Sequence, residues 1–243
     1  MITNMEKTIL SFENVAGKKR GFVLKNINFE LKAGYVCGLI GKNGAGKTTL
    51  MNYILNKNSN YDGIIRIDGA NIRDDHTKIM NKIGFVSEDN CFFENCTCNQ
   101  NMEILSIFYD EFNKEKYREI MEYMNLSGGK VYKQMSRGER LKFQLAFAIA
   151  HSPRIYLLDE ATAGMDPVFR IDFFHILQQI IMDESASVLM TSHISSEMEL
   201  KTDYIGVLEN GVLTDFGESP DVMSNLKAKK GADYEKESGN AIR

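Results

Sequence analysis

Near the start of the chain apolar residues come in short runs, first Ile9 to Phe12 and then Val23 to Leu31, where Ile27, Phe29 and Leu31 occupy every second position. A period of two marks a strand with one buried face and predicts antiparallel sheet. After Gly34 the pattern changes. Tyr35 to Ile40 is a largely apolar run, followed by a glycine-rich loop and a stretch where Leu50 and Ile54, and Met51 and Leu55, stand four apart. That order predicts strand, loop and helix. Short apolar runs return at Ile83 to Val86, Ile155 to Leu158, Val188 to Met190 and Ile205 to Leu208. Such runs suit strands covered on both faces in a mostly parallel sheet. Asn210-Gly211 predicts a tight hairpin turn into Val212 and Leu213. From about Asp89 to Met135 the spacing is helical, with Ile104, Leu105 and Phe108, then Tyr117, Ile120, Met121 and Met124.

These patterns predict an α/β fold: a mostly parallel core sheet, an antiparallel β subdomain, and an α-helical subdomain inserted at about residues 89–135. No linker, low-complexity stretch or internal repeat divides the chain, so residues 1–223 read as one domain and 224–243 as a loosely held tail.

Composition narrows the function classes. With 43% hydrophobic and 26% charged residues in 243, the chain has ample material for a core. It shows neither an N-terminal secretory signal nor an apolar run near the roughly 20 residues that span a bilayer, which predicts a cytoplasmic location. A formal net charge of −4 argues against nucleic acid as a partner. Cys37, Cys91, Cys96 and Cys98 lack a CxxC pair and a nearby histidine, so neither a disulfide framework nor a metal site is expected of them.

The chemistry is concentrated in two segments. Gly41-Lys42-Asn43-Gly44-Ala45-Gly46-Lys47-Thr48-Thr49 matches the phosphate-loop pattern G-x-x-x-x-G-K-[ST] and lies between a predicted strand and a predicted helix. Glycines in such a loop let backbone N–H groups turn toward phosphate oxygens, and the following helix directs its positive end at the same charge. Lys47 is then the partner of the β and γ phosphates, and Thr48 a ligand of Mg²⁺. The second segment, Ile155 to Glu160, is an apolar strand ending in two carboxylates. Asp159 there suits Mg²⁺ held through its water shell, and Glu160 suits polarisation of an attacking water.

Together with these motifs, Ala161-Thr162-Ala163-Gly164-Met165-Asp166-Pro167 and Thr191-Ser192-His193 give the chain a resemblance to the ABC ATPases that extends over nearly its whole length. The resemblance implies a P-loop NTPase of ABC type, a D-loop containing Asp166, and a switch histidine, His193, which contacts the γ-phosphate and helps hold water and Glu160. It also implies a signature motif, for which two segments compete: Leu126-Ser127-Gly128-Gly129-Lys130 and Met135-Ser136-Arg137-Gly138-Glu139. Spacing favours the second, because the interval from Ser136 to Asp159 fits one helix, Glu139 to about Ala150, and a turn at Ser152-Pro153. Ser136 also stands where it can cap that helix. Gly128-Gly129 then reads as a helix-ending turn.

Three departures from the family pattern stand out. Glu88 occupies the Q-loop position where glutamine is usual, and remains a candidate for a water-mediated place beside Mg²⁺. Arg137 and Glu139 replace glycine and glutamine in the signature, a form resembling the drug- and peptide-exporting branch with a separate permease. For the aromatic that usually stacks on adenine, Phe22, Phe12 or no residue remains open.

The resemblance implies an ATP-binding, ATP-hydrolysing subunit. It pairs as a homodimer or a heterodimer with another ABC ATPase subunit, and sits on the inner face of the membrane through a separate transmembrane permease. Export of a drug, peptide or lipid is the leading expectation. The alternatives are an importer ATPase, a soluble ABC ATPase of a cofactor-assembly system, and a degenerate subunit that regulates without hydrolysis; Lys47, Asp159, Glu160 and His193 count against the last.

Overall fold

The computed structural model describes residues 7–19, 21–87, 92–162, 165, 167–184, 186–193 and 195–240. Among them two sheets form. The first is antiparallel, with β1 (Thr8–Lys19) between β2 (Phe22–Lys32) and β4 (Asp62–Ile67), and the two-residue β5 (Ala70–Asn71) on its edge. Ile27, Phe29 and Leu31 all face inward, as their period of two requires. β1 continues beyond Phe12 through a polar stretch, with register shifts near Val15 that keep it paired on both sides.

The second sheet carries the site. In spatial order it runs β10 (Val212–Glu218), β9 (Tyr204–Glu209), β3 (Val36–Ile40), β8 (Ser187–Ser192), β7 (Ile155–Asp159) and β6 (Ile83–Ser87). All neighbours are parallel except β10, which returns along β9. Every residue of β3, β7 and β8 is buried, which explains why their sequence shows no alternation. Helices cover this sheet: α1 (Lys47–Leu55), α2 (His76–Asn81), α5 (Arg137–Ala150), α6 (Pro167–Glu184), α7 (Ser195–Lys201) and α8 (Ser219–Asn240). Because parallel strands end on the same side, the loops after β3, β7 and β8 converge there.

The β9–β10 turn is the hairpin expected of Asn210-Gly211, with both residues at positive φ (48° and 81°). It also joins the two sheets to the glycine-rich loop: the Gly211 N–H donates to the Ala45 carbonyl (3.1 Å), and the Lys25 N–H donates to the Gly211 carbonyl (2.8 Å).

The helical subdomain contains α3 (Cys98–Leu105) and α4 (Lys114–Tyr123), packed on α5 through Tyr117, Tyr132, Phe143 and Phe147. Two expectations need adjustment. The residue that ends α4 in a left-handed turn is Asn125 (φ 53°); Gly128 and Gly129 follow it, and a Cβ on Gly128 would strike the Asn99 side chain. The tail boundary at 223/224 falls inside α8, where Val222 and Met223 are buried, Leu226 packs on the core and Lys227 pairs with Glu199 at 2.6 Å.

Candidate functional site

Backbone geometry explains the glycines between β3 and α1 before any ligand is considered. Gly44 and Gly46 have φ of 80° and 112°, a region costly for residues with a Cβ. A Cβ on Gly46 would approach the Phe22 ring and Leu24 at 2.8 Å, and one on Gly41 would meet the Leu208 carbonyl at 2.3 Å. Lys47 is 4% exposed and folds back over the loop, its Nζ donating to the carbonyls of Gly41 (2.8 Å) and Lys42 (3.3 Å). Gly41 to Ala45 and His193 line one side of a cavity of about 510 Å³. A loop whose glycines admit no side chain at positions 41 and 46, set over a buried ammonium group at the start of a helix, fits a polyphosphate.

The strand ends supply the remaining groups. The parallel register of β7 with β8 pairs Leu158 with Met190, and so brings the next residues, Asp159 and Thr191, side by side. The Thr191 hydroxyl donates to Asp159 Oδ1 at 2.6 Å and accepts from the Glu160 N–H at 2.9 Å. This one hydroxyl orients the buried Asp159 and holds Glu160 in a left-handed conformation (φ 49°), which a side chain adopts only when its surroundings impose it. Glu160 Oε1 lies 3.7 Å from Lys47 Nζ, and Oε2 lies 3.8 Å from His193 Nδ1. Both separations are too long for hydrogen bonds.

Thr48 and Asp159 both line a groove of about 510 Å³ on the other side of the loop, near Ser87. A hydroxyl and a carboxylate lining the same groove are hard oxygen donors of the kind Mg²⁺ prefers. Glu88, the other expected neighbour of the ion, lies outside the described residues, as do Cys91, Asp166 and the D-loop residues Ala163 and Gly164.

That groove separates the core from the helical subdomain. Its walls are largely apolar, including Met51, Leu55, Phe85, Phe92 and Phe147, and its lining residue Phe108 is 66% exposed. His151, at the end of α5, stacks on Tyr109 with ring centroids 4.2 Å apart. Burial lowers its pKa to about 4.

The signature candidate stands apart from these groups. Ser136 caps α5: its Oγ accepts from the Glu139 N–H (3.3 Å), while Glu139 Oε2 accepts from the Ser136 N–H (2.8 Å). Among the described residues none of Ser136, Arg137, Gly138 or Glu139 lines the cavity at the glycine-rich loop. The same helix reaches the core further along, where buried Gln144 accepts from the Ser87 N–H at 2.9 Å through its Oε1. Sequence reasoning left two contacts unread, the paired bonds of Thr191 and this link from Gln144. Of the aromatics considered for adenine, Phe12 is buried and stacks on Phe29 at 4.7 Å, whereas Phe22 is partly exposed beside Gly46.

Residues 24–163 match the family model described as ABC transporter. The chain is 31% identical over 195 residues to the bacitracin transport ATP-binding protein BcrA of Enterococcus faecalis, covering 79% of this chain and 63% of that protein. It is 30% identical over 226 residues to the linearmycin resistance ATP-binding protein LnrL of Bacillus subtilis, covering 90% and 72%. The chain thus spans less than two thirds of the first of these relatives. Among solved structures, an ATP-binding subunit of an ABC transporter superposes with a TM-score of 0.82 at 22% identity, covering 90% of this chain and 94% of that one, a likeness of fold.

Proposed function

The chain belongs to the ABC transporter family, and on that premise we propose that it binds and hydrolyses ATP as one half of a nucleotide sandwich, driving export of a drug, peptide or lipid through a separate membrane subunit. The observation that carries the reading is the convergence of Lys47, Asp159, Glu160, Thr191 and His193 beside the glycine-rich loop.

In this reading Lys47 pairs with the terminal phosphates, and Glu160 accepts a proton from the water that attacks the γ-phosphorus. The bond from that phosphorus to the bridging oxygen breaks, and ADP leaves with the electron pair. Thr191 is a positioning residue, fixing the backbone of Glu160 and the orientation of Asp159. His193 adds a second group beside the Glu160 carboxylate. Thr48 and Asp159 would hold Mg²⁺, which when bound would neutralise phosphate charge. The separation of Ser136 from the loop within one chain supports a site completed by a second subunit, whose α5 start faces the γ-phosphate.

No helix among the described residues is long and apolar enough to cross a membrane. The apolar groove lined by Phe92, Leu105 and the exposed Phe108 suits the cytoplasmic helix of a permease. Glu160→Gln is the test of the chemistry: ATP turnover is expected to fall by about a hundredfold or more while ATP binding persists. Undiminished turnover would overturn the assignment of the base. Pull-down of the tagged wild-type chain from detergent-solubilised membranes should bring a multi-helix membrane protein, and recovery of soluble partners alone would turn the reading toward an assembly-factor ATPase.

A further inference from the structure

We propose that Lys130 is a positioning residue for the contact between subunits: it cancels the charge of Glu139 beside Ser136, so that the start of α5 can receive the γ-phosphate bound by a second copy of this chain. The inference rests on the nucleotide-sandwich reading above.

Glu139 suits the cap but brings a full negative charge to this turn. Its carboxylate is held at the first turn of α5 by the bond from the Ser136 N–H, at 2.8 Å. The helix start contributes roughly half a positive charge, which a full negative charge at that distance more than offsets. An arriving triphosphate would meet a carboxylate at the very amide expected to greet it. Arg137 and Arg140 add positive charge nearby, but neither is bonded to the Glu139 carboxylate in the way that Lys130 is.

Lys130 meets that requirement. Its Nζ lies 2.8 Å from both carboxylate oxygens of Glu139. The pairing is the chief reason that the Glu139 carboxyl sits below its ordinary range, with the Ser136 N–H next. Both side chains are about one-third exposed, so the pair lies on the surface that a second subunit can approach.

The segment that presents Lys130 is also fixed. The Lys130 carbonyl accepts from the Cys98 N–H (3.1 Å), the Gly128 carbonyl accepts from the Asn99 N–H (2.9 Å), and a bridge joins Val131 to Thr97. Leu126-Ser127-Gly128-Gly129-Lys130, which resembles a signature motif without being one, thereby gains a purpose: it is the platform that carries the neutralising ammonium group to the true signature.

The test uses the full chain carrying Glu160→Gln, with sedimentation velocity measuring the MgATP concentration for half-maximal dimer at low and high salt. Adding Lys130→Met is expected to raise that concentration about tenfold at low salt, with the effect shrinking as salt screens it. Lys130→Gln, which retains a hydrogen-bond donor without the charge, is expected to show the same loss and serves if Lys130→Met does not fold. Adding Glu139→Gln to either lysine variant should restore dimerisation to the starting level. An unchanged midpoint in both lysine variants overturns the proposal. So does a double variant that stays impaired, because the pair would then act as a tether and not as a charge cancellation. If the starting Glu160→Gln chain itself fails to dimerise with ATP, the sandwich of two copies falls, and this inference with it.

Discussion

The glycine-rich loop with its carboxylates and the start of α5 serve one proposed reaction but are built by opposite means. Around Lys47 the groups come from the ends of β3, β7 and β8, far apart in sequence and aligned only by parallel pairing of buried strands. At Ser136 nearly everything is local: the cap and its reciprocal bond span four residues, and the charge partner stands nine residues from Glu139. The first region hangs on buried strands and answers to the whole fold, whereas the second answers to its own few residues. Damage should therefore spread in the first and stay confined in the second.

Thr191→Val puts the contrast to its hardest trial, since it keeps the shape and removes the hydroxyl. Losing a donor to the buried Asp159 and the acceptor of the Glu160 N–H should lower ATP turnover by about a hundredfold and cost about 3 kcal/mol of stability. Single-turnover kinetics and thermal melting would read both.

The far end of α5 tests whether one helix joins the two regimes. His151 titrates near its ordinary value of 6.5 when unfolded but only at about 4 when folded, so between those values the unfolded chain binds the extra proton. Stability is fully present above pH 6.5 and is lost as pH falls toward 4, by up to about 3 kcal/mol. The neighbouring Lys116 adds to the same depression. Denaturant unfolding across that range should show the slope in the wild type and a reduced one in His151→Phe.

Gly46→Ala asks how much of the loop is backbone requirement alone. With φ at 112° and the Phe22 ring in the path, about 1–2 kcal/mol of stability should go even without nucleotide. Weaker ATP binding should appear in calorimetry. The smallest effect is expected at the local site: Ser136→Ala removes a cap worth about 1 kcal/mol, visible in the melting curve, with Tyr132 and Phe143 packing intact by near-UV circular dichroism.

Legibility in the sequence followed the same division. The loop, the carboxylate pair and the cap are contiguous patterns whose chemistry fixes residue types at fixed spacing. The bond from Thr191 to Asp159 was unreadable because it exists only through the register of β7 with β8. In α6 the buried Phe169, Phe173, Ile176, Leu177 and Ile180 do recur at helical spacing, but exposed Ile171 and Met182 dilute the contrast between its faces. The later half of β1 was hidden by polar residues and by its register shifts. Gly128-Gly129 misled in a different way: Asn125 does the helix ending that the glycines suggested, and the close approach of Asn99 is what keeps position 128 small.

The hairpin at Asn210-Gly211 has a practical consequence for anyone modifying this chain. Tips of β-hairpins are ordinarily the places where a fluorescent label or an epitope can be spliced in without harm. Here a Cβ at Gly211 would fall 1.9 Å from the Val23 carbonyl, and the same residue bonds to Ala45 and Lys25. The tip is a rivet through three layers, and a tag inserted there should disable the protein while leaving the hairpin's own strands nominally untouched.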